Sequence, residues 1–288
     1  MTLLKHPLFR WGVKIVFIST AFYILYHQID WGRLRELKFN WGWIGIAFLL
    51  FNLSQITSAL RLHPYLRTIG VRIGFWEQLK LYYLGMFYNT LLPGGVGGDG
   101  YKWYIFAKRG AKSGKVAGAV LILDRLNGLV GLGIIVALLA GWVIGSWGAV
   151  IAVIGVVIGG CIISVLHKRL GLWPLFLWGV GWGLVVQLLQ GAVFCGILTA
   201  LGDRGQLIDY LFLFYLSSIL SVIPITIGGV GLRELTFLYG SRYFHLSPEL
   251  GVAAAFLFFT LSLLSSLLGG VAATGVGDIG QHRHIDQS

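Results

Sequence analysis

Apolar residues in this chain do not alternate with polar ones; they collect into runs long enough to cross a bilayer, with polar residues gathered between the runs. About 20 residues are needed to span the hydrocarbon core, and such runs lie at 12–29, 41–62, 116–143, 148–166, 174–200 and 250–276. The pattern predicts about six full transmembrane helices. Two further apolar stretches, 81–106 and 208–240, are interrupted near the middle by a proline and a cluster of glycines. Both residue types oppose a continuous helix, so each stretch reads as a broken, re-entrant hairpin. The expected fold class is an all-α polytopic membrane protein.

The two interruptions resemble each other. Pro93 precedes Gly97, Gly98, Gly100 and Lys102, and Pro224 precedes Gly228, Gly229, Gly231 and Arg233, so both obey P-x3-G-G-x-G-x-[KR] at an offset of 131 residues. The same offset carries 41–62 onto 172–193, inside the fifth run, and 12–29 onto 143–160, overlapping the fourth. Self-similarity of this kind predicts a duplicated chain: a first half at 1–145, a second at 146–277 and a polar tail at 278–288. A hairpin that enters and leaves on one side leaves three crossings per half. The halves then have opposite orientation, an inverted-topology repeat.

Composition adds that no soluble domain is expected, because 57% of the 288 residues are hydrophobic and only 11% are charged. The basic residues before the first run resemble the start of a signal peptide, but no small-residue cleavage site follows, and the run is expected to be a retained span. Of the 22 basic residues, fifteen fall on the N-terminal side of the expected topology and five on the other. The positive-inside rule then places both termini in the cytoplasm of an inner-membrane protein. A net charge of +11 favours anionic partners, here membrane phospholipid or another phosphate-bearing lipid, and no nucleic-acid motif accompanies it. Cys161 and Cys195 lie inside apolar runs, where a thiol behaves as a small hydrophobe. The seven histidines form no HExxH or ligand cluster, and neither metal, cofactor nor catalytic triad is expected.

Charges inside apolar runs are the candidate chemistry. Asp124 and Arg125 lie roughly 12 Å along a long span, Arg233 and Glu234 follow the second glycine cluster, and Asp99 and Lys102 belong to the first. An intramembrane charge costs ~3 kcal/mol or more and is functional or paired. Asp124 and Arg125 are adjacent and cannot face one another on a helix, so each needs a partner elsewhere. One reading pairs Arg125 with Asp99 and Arg233 with Asp124, which holds the hairpins in place. The other has Arg125, Arg233 and Lys102 attract a phosphate within a polar cavity between the hairpin tips, where non-helical backbone survives at membrane depth.

The blocks "NTLLPGGVGGDGYKWY", "LILDRLNGLVGL" and "SVIPITIGGVGLREL" resemble the three signature blocks of the lysylphosphatidylglycerol synthase transmembrane domain family, the flippase-like membrane proteins. The resemblance implies a lipid flippase, and it singles out Asn89, Pro93, Gly97, Gly98, Asp99, Lys102, Asp124, Arg125, Pro224, Gly228, Gly229, Gly231, Arg233 and Glu234. The family often has arginine where Lys102 stands. In its bifunctional members a soluble C-terminal domain performs aminoacyl transfer, and this chain is expected to be a stand-alone member with no enzymatic activity. A separate lipid-modifying enzyme and a second copy of the chain are compatible partners. The alternative function is a membrane subunit acting on lipid-linked sugars or assisting aminoacyl-phospholipid transfer, which requires an acid at the membrane surface; Asp99 is the one candidate. An ion pore is disfavoured, because two non-identical hairpins do not build a filter of identical loops.

Overall fold

A computed structural model describes residues 7–91, 97–203, 205–222 and 229–273. Among these every regular element is helical: α1 Pro7–Gln28, α2 Trp31–Glu36, α3 Trp41–Thr68, α4 Phe75–Leu91, α5 Gly97–Lys108, α6 Gly114–Val143, α7 Ser146–Arg169, a 3-10 turn at Trp173–Leu175, α8 Phe176–Ala200, α9 Leu207–Leu220, α10 Leu232–Tyr243 and α11 Pro248–Ala273. The chain is an all-α polytopic membrane protein. Five helices among the described residues, α3, α6, α7, α8 with the preceding turn, and α11, are long and apolar enough to cross a bilayer. The first expected run is helical as α1 but is not one of the five.

Side-chain caps set several helix starts. Asp30 accepts from the Gly32 and Arg33 amides at 2.9 and 3.3 Å, Asn40 from Gly42 and Trp43 at 3.0 and 3.4 Å, and Ser113 from Val116 at 3.2 Å. Each satisfies amides that the first helical turn leaves without a partner. Helix α3 runs six residues beyond the apolar run that predicts it, continuing through Pro64 to Thr68. Arg61, close to the end of the expected run, therefore stands well inside the helix.

Helix α7 is apolar around its whole circumference and buries almost none of it, exposing Ile151, Ile154, Val157, Ile158 and Ile162. Such a surface fits hydrocarbon. Chain direction sorts several of the exposed tryptophans into two groups. Trp41, Trp142 and Trp147 lie at the end where α3 begins, and Trp76 and Trp173 at the end where it finishes. Tryptophans collect at both water interfaces of a membrane.

Among the described residues the interior is divided along the bundle axis into two large cores, with a small third cluster of Leu25, Ile29 and Leu238. One gathers Ala47 and Phe51 of α3, Leu132 and Ile135 of α6 and Phe194 of α8 around α9, α10 and α11. The other gathers Leu62 and Leu66 of α3 and Val120 and Leu123 of α6 around Leu81 of α4 and Phe106 of α5. Helices α3, α6 and α8 thread both cores, whereas each short helix pair, α4–α5 and α9–α10, is anchored mainly in one.

Each short pair begins and ends at the same end of the bundle. The Lys112 amide donates to the Ile69 carbonyl at 3.0 Å and the Arg72 amide to Arg109 at 3.4 Å, so the chain enters α4 where it leaves α5. At the opposite end the Tyr210 hydroxyl, in the first turn of α9, donates to the Ser247 carbonyl just beyond α10 at 2.9 Å. The ends are distinguished by α3 and α8, which run antiparallel: the Asn40 amide donates to the Ala200 carbonyl at 2.9 Å, and the Trp178 indole to the Arg61 carbonyl at 3.2 Å.

Candidate functional site

The first helix pair closes through glycine and one asparagine. A Cβ on Gly98 would fall inside the Gly85 carbonyl group, so α4 and α5 cross backbone to backbone at a point only glycine allows. The Asn89 side chain accepts from the Gly98 amide at 2.8 Å, reaching across the break to satisfy an amide at the start of α5. Gly97 opens that helix, while Gly100 sits in its first turn with open space where a Cβ would be. Pro93 lies outside the described residues.

Three elements bring charges to this crossing. On α5, Lys102 Nζ is 2.7 Å from Asp99 Oδ1 and lies 4.7 Å above the centre of the Tyr82 ring of α4. The lysine is 8% exposed, and the missing side chain at Gly85 makes room for it, since a Cβ there would sit 3.0 Å from its Cε. The second Asp99 oxygen pairs with Arg125 of α6. Asp124, one residue earlier on α6, points to a different neighbour and holds Arg61 Nε of α3 at 2.7 Å, with both groups buried. The adjacent charges thus find separate partners on separate helices, as their positions on a helix require.

Around these groups lies a cavity of about 200 Å³ lined by Gln55, Arg61, Tyr82, Met86, Asn89, Asp99, Lys102, Leu121, Asp124 and Arg125. It brings together five of the seven residues expected to contact a substrate. Arg61 Nη1 is buried there without a hydrogen-bond partner, against the Cα of Gly128 where a Cβ would lie 3.1 Å from it. The arginine, with Gln55 and Tyr82, is absent from the expected set. Its signal was Ser54, Ser58 and Arg61 at helical spacing within the polar part of a long apolar run, and all three are buried.

The remaining two expected contacts are on the second pair. Gly229 and Gly231 adopt φ of +84° and +87°, the left-handed region open to glycine, and turn the chain into α10. Glu234 Oε2 accepts from the Gly231 amide at 2.7 Å, which makes this carboxylate a cap on the helix start. Arg233 lies with its guanidinium carbon 5.5 Å from the centre of the Phe214 ring and 4.9 Å from that of Phe258. Its Nη1 is buried without a hydrogen-bond partner. It borders a cavity of about 70 Å³ with Gly229, Val230, Phe258, Phe259 and Ser262. Pro224 and Gly228 lie outside the described residues.

Of the two expected ion pairs, Arg125 with Asp99 is present. Arg233 with Asp124 is not: Asp124 is occupied by Arg61, and Arg233 is held by two aromatic rings of α9 and α11. The charged groups are therefore divided between two cavities of unequal character. The first holds three cations paired with two carboxylates, and the second holds one arginine whose neighbouring acid is spent on the backbone. Among the described residues no group of three or more His, Cys, Asp or Glu is placed to hold a metal ion.

The model of the family described as lysylphosphatidylglycerol synthase TM region matches residues 11–173. The match contains α3 to α7, and with them the whole first cavity, and it ends before the second helix pair. A UPF0104 membrane protein of Archaeoglobus fulgidus is 28% identical over 120 residues, which is 40% of this chain. The match spans 36% of that relative's length.

Proposed function

Since the chain belongs to the lysylphosphatidylglycerol synthase transmembrane-region family and is an integral multi-pass membrane protein, we propose that it is a lipid translocator. It moves an anionic or phosphate-bearing headgroup between leaflets without making or breaking a covalent bond. The carrying observation is the cavity at the α4–α5 crossing, where three cations and two carboxylates meet beside a break in the helix. Charges of this kind at membrane depth mark substrate pathways, and broken helices in opposed repeats commonly flank them.

In this mechanism the headgroup enters the cavity while its acyl chains stay in hydrocarbon. At about 200 Å³ the space is smaller than the ~300 Å³ at which pockets for drug-sized ligands begin, which suits a headgroup without its tails. Asp99 and Asp124 hold Lys102, Arg125 and Arg61 in place, so the cations need not reorganise when a phosphate arrives. Arg233 offers a second anion contact on the other helix pair. Rocking of one half against the other exposes the cavity to each leaflet in turn. The lipid-linked-sugar alternative is weakened by Asp99, which is engaged by two cations and poorly placed to serve as a base.

The test is reconstitution into liposomes carrying headgroup-labelled phosphatidylglycerol, with transfer followed by a membrane-impermeant quencher. Wild type should move the lipid at least about tenfold faster than Arg125→Ala or Arg233→Ala, a difference of ~1.4 kcal/mol. Equal rates for wild type, both variants and protein-free liposomes would sink the proposal.

A further inference from the structure

The first cavity has a charge balance that restricts what it can hold. Its ionisable lining is Arg61, Lys102, Arg125, Asp99 and Asp124, which is three positive charges against two negative. Both carboxylates are committed, Asp124 to Arg61 at 2.7 Å and Asp99 to Lys102 at 2.7 Å and to Arg125. The lining therefore carries a net charge of +1; Arg125 is half exposed, but Arg61 and Lys102 are buried beside Leu121, Met86 and the Tyr82 ring, where an uncompensated charge is costly.

From this balance we infer that the site selects a headgroup with one negative charge, a phosphodiester bearing an uncharged polar substituent such as glycerol. The inference rests on the translocator reading and names its substrate class. A phosphodiester monoanion brings the cavity to neutrality. A zwitterionic aminoalcohol phosphodiester leaves it at +1, a lysyl ester of the glycerol headgroup raises it to +2, and a phosphomonoester dianion takes it to −1. Neutral polar partners for the substituent are also present. Gln55 and Asn89 line the same cavity, and neither carries a charge that would welcome an amine.

The opposite selectivity would need an acid free of cationic partners, which the described lining does not offer. The second cavity has no such acid either, because the Glu234 carboxylate accepts from the Gly231 amide at 2.7 Å. Neither cavity is therefore built to receive an ammonium group.

Two measurements test the inference. In the first, liposomes carry one labelled lipid each: phosphatidylglycerol, phosphatidylethanolamine, lysyl-phosphatidylglycerol or phosphatidate. Phosphatidylglycerol should move about tenfold faster than the other three, and Arg125→Gln, at a half-exposed position where the fold tolerates change, should lower phosphatidylglycerol transport to the level of phosphatidylethanolamine. In the second, short-chain forms of the same lipids, and the water-soluble deacylated glycerophosphoglycerol, are added to detergent-purified protein and the shift in melting temperature is read. Phosphatidylglycerol should give the largest shift, reduced in Arg125→Gln; an equal shift with the deacylated compound assigns the site to the soluble phosphodiester and overturns the lipid as its ligand. Transport of all four lipids at one rate, or fastest transport of the lysyl ester, overturns the inference and leaves the translocator standing. Absence of any transport, with a melting shift that still favours phosphatidylglycerol, overturns the translocator and retains the selectivity of the site.

Discussion

At the scale of single residues, Arg61 and Asp124 form the most enclosed charge pair, with side chains 6% and 9% exposed. Removing one partner of a buried pair leaves the other charged in a low-dielectric setting, a loss of about 3–5 kcal/mol, whereas replacing both by apolar groups is often neutral or stabilising. Asp124→Asn should therefore lower the melting temperature of the purified protein markedly, and Arg61→Met with Asp124→Leu should recover much of the loss. A double variant as unstable as the single one would show that the pair is not the source of the effect. The outcome also separates stability from transport, because the recovered double variant keeps the net charge of the cavity but has lost the Arg61 cation that lines it and should still move lipid poorly. Tyr65 offers a contrast. Its hydroxyl meets His167 Nε2 at 3.0 Å, the Leu175 carbonyl at 2.8 Å and Asn127 Nδ2 at 3.0 Å, tying α3, α6, α7 and the start of α8 at one end of the bundle. Tyr65→Phe should reduce stability by about 1–3 kcal/mol through unsatisfied buried partners, with the lipid preference of the cavity unchanged.

At the scale of elements, the α4–α5 pair depends on two bare backbones meeting at Gly85 and Gly98. Gly98→Ala should abolish accumulation of folded protein in the membrane, while Gly100→Ala, two residues on with open space around it, should accumulate normally; fluorescence-detected size exclusion reads both. Equal behaviour of the two variants would contradict the close crossing. Much of this pair was legible in the sequence, because proline and glycine clusters inside apolar runs announce a break whatever surrounds them, and Asp124 and Arg125 announce themselves by being charged in a span. What could not be read was pairing. Which acid meets which base is decided by helices distant in the chain, so Asp124 finds Arg61, 63 residues away, instead of Arg233. Arg61 was hidden for another reason: a charge at the edge of an apolar run looks the same whether the helix stops there or continues, and here it continues through Pro64 to Thr68. Helix α2 escaped notice because its six residues depend on the Asp30 cap and have no apolar run to reveal them.

At the scale of the whole molecule, the offset of 131 residues that relates the glycine clusters also relates the helices. It carries α3 to 172–199, against Trp173–Ala200 for the turn and α8, and α6 to 245–274, against Pro248–Ala273 for α11. Packing follows the same exchange, since α4 lies on α11 while α9 lies on α6. The charges do not follow it. Lys102 has Arg233 as counterpart, but Asp99, Asp124, Arg125 and Arg61 correspond to Val230, Ala255, Phe256 and Ala192, so in a duplicated scaffold the polar cavity would belong to one half. An inverted arrangement makes a prediction about sides. The ends of α4–α5 meet at one end of the bundle and those of α9–α10 at the other. In a background with Cys161 and Cys195 replaced, cysteines at Arg72 and Lys112 should both react with a membrane-impermeant thiol reagent from one face of the membrane. Cysteines at Gln206 and Ser247 should both react from the opposite face. Reaction of the first two from different faces would make α4–α5 a single crossing, which would give the halves the same orientation and remove the basis for alternating access.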